Sequence, residues 1–384
     1  MFSRPLKNGF GVYFDATKST SGQRFFGDLC RTLSGEALPF EERPLAVLFN
    51  VSVPMPVIVK AWMRRQKIAL RVDGLYFDRL SPAFIATFPW PLRILFGLGL
   101  KHASLHDVMA TWANFISQNY AAFVRILLAD VVIYQSVFSQ KVHARYFPNK
   151  PCRVILNGSS FKGNEASVTG QHGGEIRLVT IYDEWKPAKR IDAVVDFVLW
   201  ANTVRGAPLH LTILGYTGVV PNCVPDLKGR IESPPCITTL PRFSGFDGDI
   251  KSALLGGHVF ITFSYRDPCP NVVVESMAHG LPLVAVASGG LPEICGDAGV
   301  MIPFDDFAEG WFGPHRFECQ FPPLDFEAAL AAVLTIAQNQ STYRQRVAAR
   351  FAAELGMEPV ARRYSAVLRS LANHTSGADS EVQP

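Results

Sequence analysis

The sequence has little charge. Asp, Glu, Lys and Arg make up 18% of its 384 residues, below the roughly 25% of an average soluble chain. Lys plus Arg (37) exceed Asp plus Glu (33), which gives a net charge of +4. This surplus is too small to indicate a nucleic-acid partner. Because 48% of the residues are hydrophobic, the composition excludes a disordered chain. At about 150 residues per domain, the length predicts two domains.

Paired cysteines and the common cofactor motifs are absent. The seven Cys residues form no CxxC pair and no cluster with zinc-ligand spacing, so we predict reduced thiols, no metal site and a cytoplasmic location. The first residues contain no continuous apolar segment of the kind found in a signal peptide. No GxGxxG, Walker A or GxSxG string occurs, and the absence of the first argues against a dinucleotide oxidoreductase. We therefore expect no cofactor.

No uninterrupted apolar run reaches the roughly 18 residues of a membrane span. The nearest approach is segment 82–101, which contains three prolines and Arg93. The aromatic part, 84–101, allows two interpretations. It is either a core helix of the first domain broken by Pro89 and Pro91, or an interfacial segment lying on a membrane. In the second case the inserted side chains would be Phe88, Trp90, Leu92 and Phe96, with Arg93 and Lys101 at the headgroups.

Strand-like and helix-like segments alternate along the chain. The predicted strands are 12–16, 44–51, 67–73, 130–135, 153–156, 176–181, 209–214, 237–240, 259–263, 282–287 and 300–302. The main predicted helices are 24–33, 57–66, 112–128, 139–146, 190–204, 249–255, 271–279, 326–337, 342–355 and 358–372. This alternation predicts an α/β fold with parallel, doubly wound sheets.

A stretch rich in Gly, Ser, Asn and Thr separates two such alternations. We predict an N-terminal domain over 1–160, a linker over 161–175 and a C-terminal domain over 176–356. A C-terminal helix over 357–373 is expected to pack back toward the first domain, and 374–384 form a flexible tail. Ligands of open α/β sheets bind beyond the carboxyl ends of the strands.

The most informative segment is 263–299, which contains the string DPCPN and, further on, HGLP and SGGLPE. Asp267 and Glu275 are eight positions apart and flank a strand-to-helix turn. The helix is expected to begin with Asn271 as its N-cap, so that the amides of Asn271, Val272 and Val273 can bind phosphate or sugar oxygens. His279 follows Glu275 by four positions, and a packing or capping role is favoured over a ligand role.

A second informative segment is 181–192, IYDEWKPAKRID. Together the two segments resemble the nucleotide-sugar-binding core of family-4 retaining glycosyltransferases (glycosyl transferases group 1), which have the GT-B fold. The resemblance implies two doubly wound, Rossmann-like domains that face each other across a cleft. It also implies a nucleoside-diphosphate sugar in the C-terminal domain and a glycan or lipid-linked acceptor in the N-terminal domain. Transfer of a hexosyl or related group would proceed with retention, by same-face attack assisted by the leaving diphosphate.

The resemblance assigns roles to three candidate catalytic residues. Asp267 would orient the donor sugar, Glu275 would hold the ribose hydroxyls, and Lys189 would stabilise the diphosphate. Two departures stand out. Asp267 occupies a position where the family more often has Glu, and Glu184 stands where the family has Arg, so Lys186 is the candidate for the missing cation.

Further candidates resemble the family less closely. Gly215 and Gly245 would lie near the nucleotide base. On the acceptor side the candidates are Gly22, placed in the first strand-to-helix loop, and Arg71 with Asp73 at the end of a strand. Arg71 and Asp73 have an equally good explanation as a structural salt bridge.

The resemblance thus predicts an enzyme of polysaccharide or glycoconjugate biosynthesis, peripheral at the cytoplasmic face of a membrane if 84–101 is interfacial. The alternative is a non-catalytic nucleotide-sugar or glycan-binding protein on the same scaffold, which the two departures favour.

Overall fold

The computed structural model describes residues 2–6, 10–14, 21–34, 44–75, 80–161, 174–182, 187–220, 224–241, 249–306 and 321–376. Their strands are β1 (Phe2–Leu6), β2 (Phe10–Phe14), β3 (Ala46–Asn50), β4 (Lys67–Arg71), β5 (Val131–Tyr134), β6 (Cys152–Val154), β7 (Ile176–Ile181), β8 (Leu209–Leu214), β9 (Ile237–Leu240), β10 (Val259–Thr262), β11 (Leu283–Val286) and β12 (Gly299–Ile302).

The α-helices are α1 (Ser21–Ser34), α2 (Met55–Met63), α3 (Pro82–Ala86), α4 (Trp90–Lys101), α5 (Ala103–Asn114), α6 (Tyr120–Leu128), α7 (Val137–Ala144), α8 (Ile191–Val204), α9 (Leu227–Glu232), α10 (Asp249–Gly256), α11 (Asn271–Ala278), α12 (Leu291–Cys295), α13 (Phe326–Gln338), α14 (Gln340–Arg350) and α15 (Met357–Ser376). Pro187–Lys189 form a 3-10 turn, and Phe115–Asn119 and Phe351–Leu355 form π-helical turns.

These elements belong to two compact units. The first comprises Met1–Leu75, Gln118–Ser160 and Ala352–Pro384, and the second comprises Tyr76–Ser117 and Phe161–Phe351. The described residues 80–117 therefore group with the second unit, whereas the sequence placed them in the N-terminal domain.

The first unit is built on a six-stranded sheet of order β1-β2-β3-β4-β5-β6, parallel except for the antiparallel pair β1–β2. Its buried strands are almost entirely apolar because both faces are covered. On β3, Ala46 and Leu48 pack with residues of α1 and α15, and the alternating residues Val47 and Phe49 pack with residues of α2 and α6. The final helix, α15, thus belongs to the core of the first unit.

The second unit contains a parallel sheet of order β12-β11-β10-β7-β8-β9. Residues of α8 and α13, including Val194, Phe197 and Val333, form one core with β7, β8 and β10. The predicted α/β fold with two doubly wound, Rossmann-like sheets is confirmed.

Helices α3, α4 and α5 enclose a small core of their own. Phe84, Phe88, Phe96 and Ala110 are buried in it, and Gly99 allows close packing because an added Cβ would lie 2.4 Å from Leu80 Cδ1. The break in 84–101 comes at Pro89, while Pro91 lies in the first turn of α4, where proline is tolerated. Of the four side chains expected to insert into a membrane, Phe88 and Phe96 are buried inside this core, so that part of the interfacial interpretation is wrong.

Candidate functional site

The second sheet reverses its direction of growth between β7 and β10. The chain adds β8 and β9 on one side of β7 and then adds β10, β11 and β12 on the other side. Strands β7 and β10 are parallel neighbours, so their carboxyl ends open at the same edge. Such a topological switch point is the usual ligand position in a doubly wound sheet. The loops that follow β7 and β10 carry Lys189 and Asp267.

Tyr182 and Tyr265 each bind the described end of the loop after β7 through a hydrogen bond. The Tyr182 hydroxyl donates to the Lys189 carbonyl at 2.8 Å, and the Tyr265 N–H donates to the Ala188 carbonyl at 2.7 Å. Burial raises the pKa of Tyr182, so its hydroxyl stays protonated and remains a donor. Since Tyr265 belongs to the loop after β10, the second bond joins the two loops side by side.

Lys189 and Asp267 form an ion pair across these loops, from Lys189 Nζ to Asp267 Oδ2. Their side chains are 28% and 17% exposed, respectively, so the pair is partly screened from water and still reachable by a ligand. The other carboxylate oxygen of Asp267 accepts the Cys269 N–H at 3.2 Å. A diphosphate would compete with Asp267 for the ammonium group, leaving Oδ2 to accept hydrogen bonds from sugar hydroxyls.

Arg190 follows Lys189 in the left-handed conformation, with φ +52°. Its Nη1 donates to the Pro322 carbonyl at 2.9 Å, and its guanidinium lies 4.8 Å from the centroid of the Phe321 ring. Burial lowers the pKa of Arg190, while Asp192 raises it. Arg190 is therefore engaged in holding the loop in place.

The N-cap of α11 lies one residue earlier than expected. Its N-cap is Pro270, without a side-chain cap, and Asn271 is the first helical residue. The prediction of Asn271 as N-cap is wrong, because the Pro270 carbonyl already accepts the Val273 N–H at 3.1 Å. Val273 N–H is thereby engaged inside the helix, while Asn271 and Val272 occupy the first two positions of the helix.

Glu275 lies one helical turn after Asn271 and so shares its face of α11. The Glu275 side chain is half-buried, and its carbonyl is 2.8 Å from Nδ1 of His279. His279 also packs beside Phe161, with ring centroids 6.1 Å apart, which agrees with a packing role. The helix ends at Ala278, and Gly280 follows its C-cap with a φ of +78° and the hydrogen bonds of a Schellman motif.

Gly215 follows β8 at the same sheet edge. Its φ is +89°, a conformation that favours glycine, and its N–H donates to the Leu240 carbonyl at 2.9 Å. Lys186 and Gly245 lie outside the described residues.

The acceptor-side candidates lie in the first unit. Gly22 is in the first turn of α1, so its placement in a loop was wrong. Arg71 is 2% exposed, and its Nη1 contacts Asp73 Oδ1 at 2.9 Å. The structural salt bridge therefore exists, and the Asp73 carboxylate is still half-exposed.

Two buried amides, which the sequence did not single out as site residues, complete this cluster. Arg71 Nη2 donates to Asn157 Oδ1 at 2.7 Å, and Gln135 Nε2 donates to Asp73 Oδ1 at 2.6 Å. Asn157 Nδ2 also donates to Gln135 Oε1 at 3.2 Å. Both amides lie at the carboxyl edge of the first sheet, where Gln135 follows β5 and Asn157 follows β6.

The sequence also missed a buried carboxylate beneath the Asp267 loop. Asp306 is 6% exposed and contacts Ser288, Gly289 and Arg266. Burial raises the pKa of Asp306, whereas the hydrogen bonds from Ser288 and Gly289 and the charge of Arg266 lower it. Among the residues that the structure describes, no group of three or more His, Cys, Asp or Glu side chains could hold a metal ion.

Comparison with solved structures shows the GT-B fold. HepE from Anabaena in complex with UDP superposes with a TM-score of 0.54 at 14% identity, over 94% of this chain and 99% of HepE. The pneumococcal O-GlcNAc transferase GtfA in complex with UDP and GlcNAc gives a TM-score of 0.52 at 14% identity. That match covers 85% of this chain but only 56% of GtfA, so the chain spans little more than half of that relative.

Sequence comparison agrees with the fold. The lipopolysaccharide core biosynthesis glycosyltransferase LpsE of Rhizobium meliloti (strain 1021) is 28% identical over 277 residues, which cover 66% of this chain and 75% of LpsE. Residues 186–312 match the family Glycosyl transferases group 1. Lys189, Asp267 and Glu275 all lie inside this matched segment, so the candidate site belongs to the part of the chain that resembles a glycosyltransferase.

Proposed function

We propose that the chain is a retaining glycosyltransferase that transfers a hexosyl or related group from a nucleoside-diphosphate sugar to a glycan or lipid-linked acceptor. The observation that carries the proposal is the ion pair between Lys189 and Asp267 at the topological switch point. The group 1 match over 186–312 supports sugar transfer. The UDP complexes of HepE and GtfA support a nucleotide-sugar donor. The likeness to LpsE, a glycosyltransferase of lipopolysaccharide core biosynthesis, supports a role in glycoconjugate biosynthesis.

In this mechanism charged side chains of the protein bind the donor and stabilise the leaving group. Lys189 moves from the carboxylate of Asp267 to the diphosphate and stabilises the negative charge that develops on it as the glycosidic bond breaks. Asp267 then accepts hydrogen bonds from the donor sugar, and Glu275 accepts the two ribose hydroxyls. The acceptor hydroxyl attacks from the face that the diphosphate leaves, and the diphosphate takes its proton. These steps require no metal and no cofactor.

The test of this function is a panel of donors. Purified protein is incubated with UDP-glucose, UDP-N-acetylglucosamine, GDP-mannose and ADP-glucose, with and without glycan acceptors, and the released nucleoside diphosphate is measured. We expect release from one donor. Tight nucleotide binding without release from any donor would instead support the second candidate, a non-catalytic binding protein, which Asp267 and Glu184 favour because they depart from the family pattern.

Glu275→Ala is expected to lower kcat/KM about 100-fold, because two hydrogen bonds to a charged carboxylate are lost. The affinity for nucleoside diphosphate, measured by calorimetry, should fall together with kcat/KM, since the nucleotide sugar and the nucleoside diphosphate both contain the ribose. Glu327→Ala is the matched control, because Glu327 lies in the second unit on the exposed N-terminal turn of α13. Equal kcat/KM in the two variants would contradict the role of Glu275.

We further propose that the enzyme works at the cytoplasmic face of a membrane and binds the bilayer through α4 and α5. No helix among the described residues is long and apolar enough to cross a membrane. One face of α4 exposes Trp90, Ile94 and Leu98, which are 73%, 64% and 40% exposed and lie at four-residue spacing. Trp112 on α5 is 57% exposed.

The charge of these helices fits an anionic lipid surface. Only three of the 38 residues from 80 to 117 carry a formal charge, namely Arg93, Lys101 and Asp107, so a solvated charged face is excluded. Lys101 lies on the exposed side of α4 at its last residue, where its ammonium group can reach lipid phosphates. Tryptophan side chains favour the interface between headgroups and acyl chains. A lipid-linked acceptor would be presented at the same surface.

Trp90→Glu is expected to lower the partition coefficient for vesicles of phosphatidylcholine and phosphatidylglycerol about tenfold or more, because an apolar anchor is replaced by a repelled charge. Vesicle pelleting measures this coefficient. Trp62→Glu is the control, because Trp62 is 56% exposed on α2 in the first unit. Equal pelleting of wild type and Trp90→Glu would contradict membrane contact through α4.

A further inference from the structure

The loop that carries Asp267 rests on a hydrogen-bond network that ends on the buried carboxylate of Asp306. The Ser288 hydroxyl donates to Asp306 Oδ1 at 2.6 Å, and the Gly289 N–H donates to Asp306 Oδ2 at 2.6 Å. Ser288 is 0% exposed and Asp306 is 6% exposed. Because both carboxylate oxygens accept a hydrogen bond from neighbouring residues, the position of Asp306 fixes the position of residues 288 and 289.

The network continues to the residue before Asp267. Ser288 Oγ accepts the backbone N–H of Arg266 at 2.8 Å. Arg266 has φ +52°, a left-handed conformation that a residue with a side chain keeps only when its surroundings hold it there. The Arg266 guanidinium turns back to Asp306, where its Nε lies 3.6 Å from Oδ1 and its Nη2 donates to the backbone carbonyl. Ser288 and Asp306 thus hold Arg266 at both its backbone and its side chain.

The backbone of Asp267 itself is bound to the same segment. The Gly290 N–H donates to the Asp267 carbonyl at 2.8 Å. The chain is therefore anchored at the Arg266 N–H and again at the Asp267 carbonyl. These anchors determine the direction in which the Asp267 side chain leaves the backbone, and that direction leads to Lys189 Nζ.

We propose that Ser288 and Asp306 are positioning residues that place the Asp267 carboxylate for contact with the donor sugar. This inference rests on the proposed function. Neither residue is exposed enough to reach a bound sugar, so both act through Asp267. The donor nucleotide is held elsewhere, by Lys189 and Glu275, and its affinity is expected to be independent of this network.

A double-mutant cycle tests the proposal. Ser288→Ala is made in the wild type and in Asp267→Asn, and kcat is measured with the nucleotide sugar from which the wild type releases nucleoside diphosphate fastest. We expect a loss of about 10- to 100-fold in the wild-type background, because a displacement near 1 Å is that costly. In Asp267→Asn the loss should be less than about twofold, since the group that Ser288 positions is already gone. The same cycle can be measured without turnover. The quantity compared between the variants is then the affinity for the intact nucleotide sugar divided by the affinity for nucleoside diphosphate.

Should Ser288→Ala fail to fold, Asp306→Asn provides a second, nearly isosteric variant. We expect the same pattern from it, a large loss of kcat in the wild-type background and a small loss in Asp267→Asn. Asp325→Ala is the control, because Asp325 Oδ1 also accepts a backbone N–H in the second unit, from Ala328 at 2.9 Å. Its kcat should equal that of the wild type. An equal loss from Ser288→Ala in both backgrounds would overturn the positioning role alone. A wild type that releases nucleoside diphosphate from no donor would overturn the proposed function instead.

Discussion

Lys189→Ala is expected to lower kcat about 100- to 1000-fold, the range measured when one donor to a developing anion is removed from an enzyme. The reason is the position of the ammonium group. It lies at the carboxyl edge of β7, partly buried, with the Asp267 carboxylate as its partner. In such a site a charge–charge interaction is stronger than in bulk water. The loss should appear mainly in kcat, because the diphosphate carries more negative charge in the transition state than in the bound donor.

The measurement is nucleoside diphosphate release under donor saturation, together with thermal unfolding. A partly exposed ion pair contributes at most about 1 kcal/mol to stability, so Lys189→Ala should unfold near the wild-type temperature. Lys228→Ala, at an exposed lysine of α9 in the same unit, should leave kcat unchanged. A kcat for Lys189→Ala within threefold of the Lys228→Ala value would exclude electrostatic catalysis by Lys189.

The strands of the second unit were predictable because a buried parallel strand is a nearly continuous apolar run. Ile176–Ile181, Leu209–Leu214 and Ile237–Leu240 have the predicted limits. The first strand, Phe2–Leu6, contains Arg4 and Pro5 and gave no such pattern. The hydrophobic pattern of α4 fits two environments because one face is buried and the other is exposed, and only the tertiary contacts distinguish the faces.

The candidate site was predictable one residue at a time, but its contacts were not. The roles of Lys189 and Asp267 followed from a resemblance, yet these residues are 78 positions apart in the chain. Their contact depends on β10 lying next to β7. The hydrophobic pattern that predicts the strands does not predict their order in the sheet. Asp306 gave no local signal at all, since it bonds to Ser288 18 positions away and to Arg266 40 positions away.

Gly289→Ala is expected to have the second large effect, on stability and activity together. Gly289 has φ +64°, and a Cβ added there would lie 2.2 Å from the Asp267 carbonyl oxygen and 2.7 Å from the Asp267 nitrogen. Both colliding atoms are backbone atoms, so no change of rotamer relieves the contact. The left-handed conformation and the overlap together should lower the free energy of unfolding by about 3 kcal/mol or more. The displaced Asp267 should lower kcat about 100-fold.

Gly206→Ala separates the effect of the left-handed backbone from the effect of the steric overlap. Gly206 has nearly the same φ, +61°, but a Cβ added there would meet no atom within 4 Å. This control should lose only the roughly 1–2 kcal/mol of a left-handed alanine and keep the wild-type kcat. Chemical unfolding and nucleoside diphosphate release measure the two quantities. Gly289→Ala could instead match Gly206→Ala in both the free energy of unfolding and kcat. The backbone of Asp267 would then tolerate displacement, and its close approach to Gly289 would have no part in placing the carboxylate. A larger loss of kcat in Gly289→Ala than in Gly206→Ala would tie activity to that approach, because the two variants share the same backbone strain.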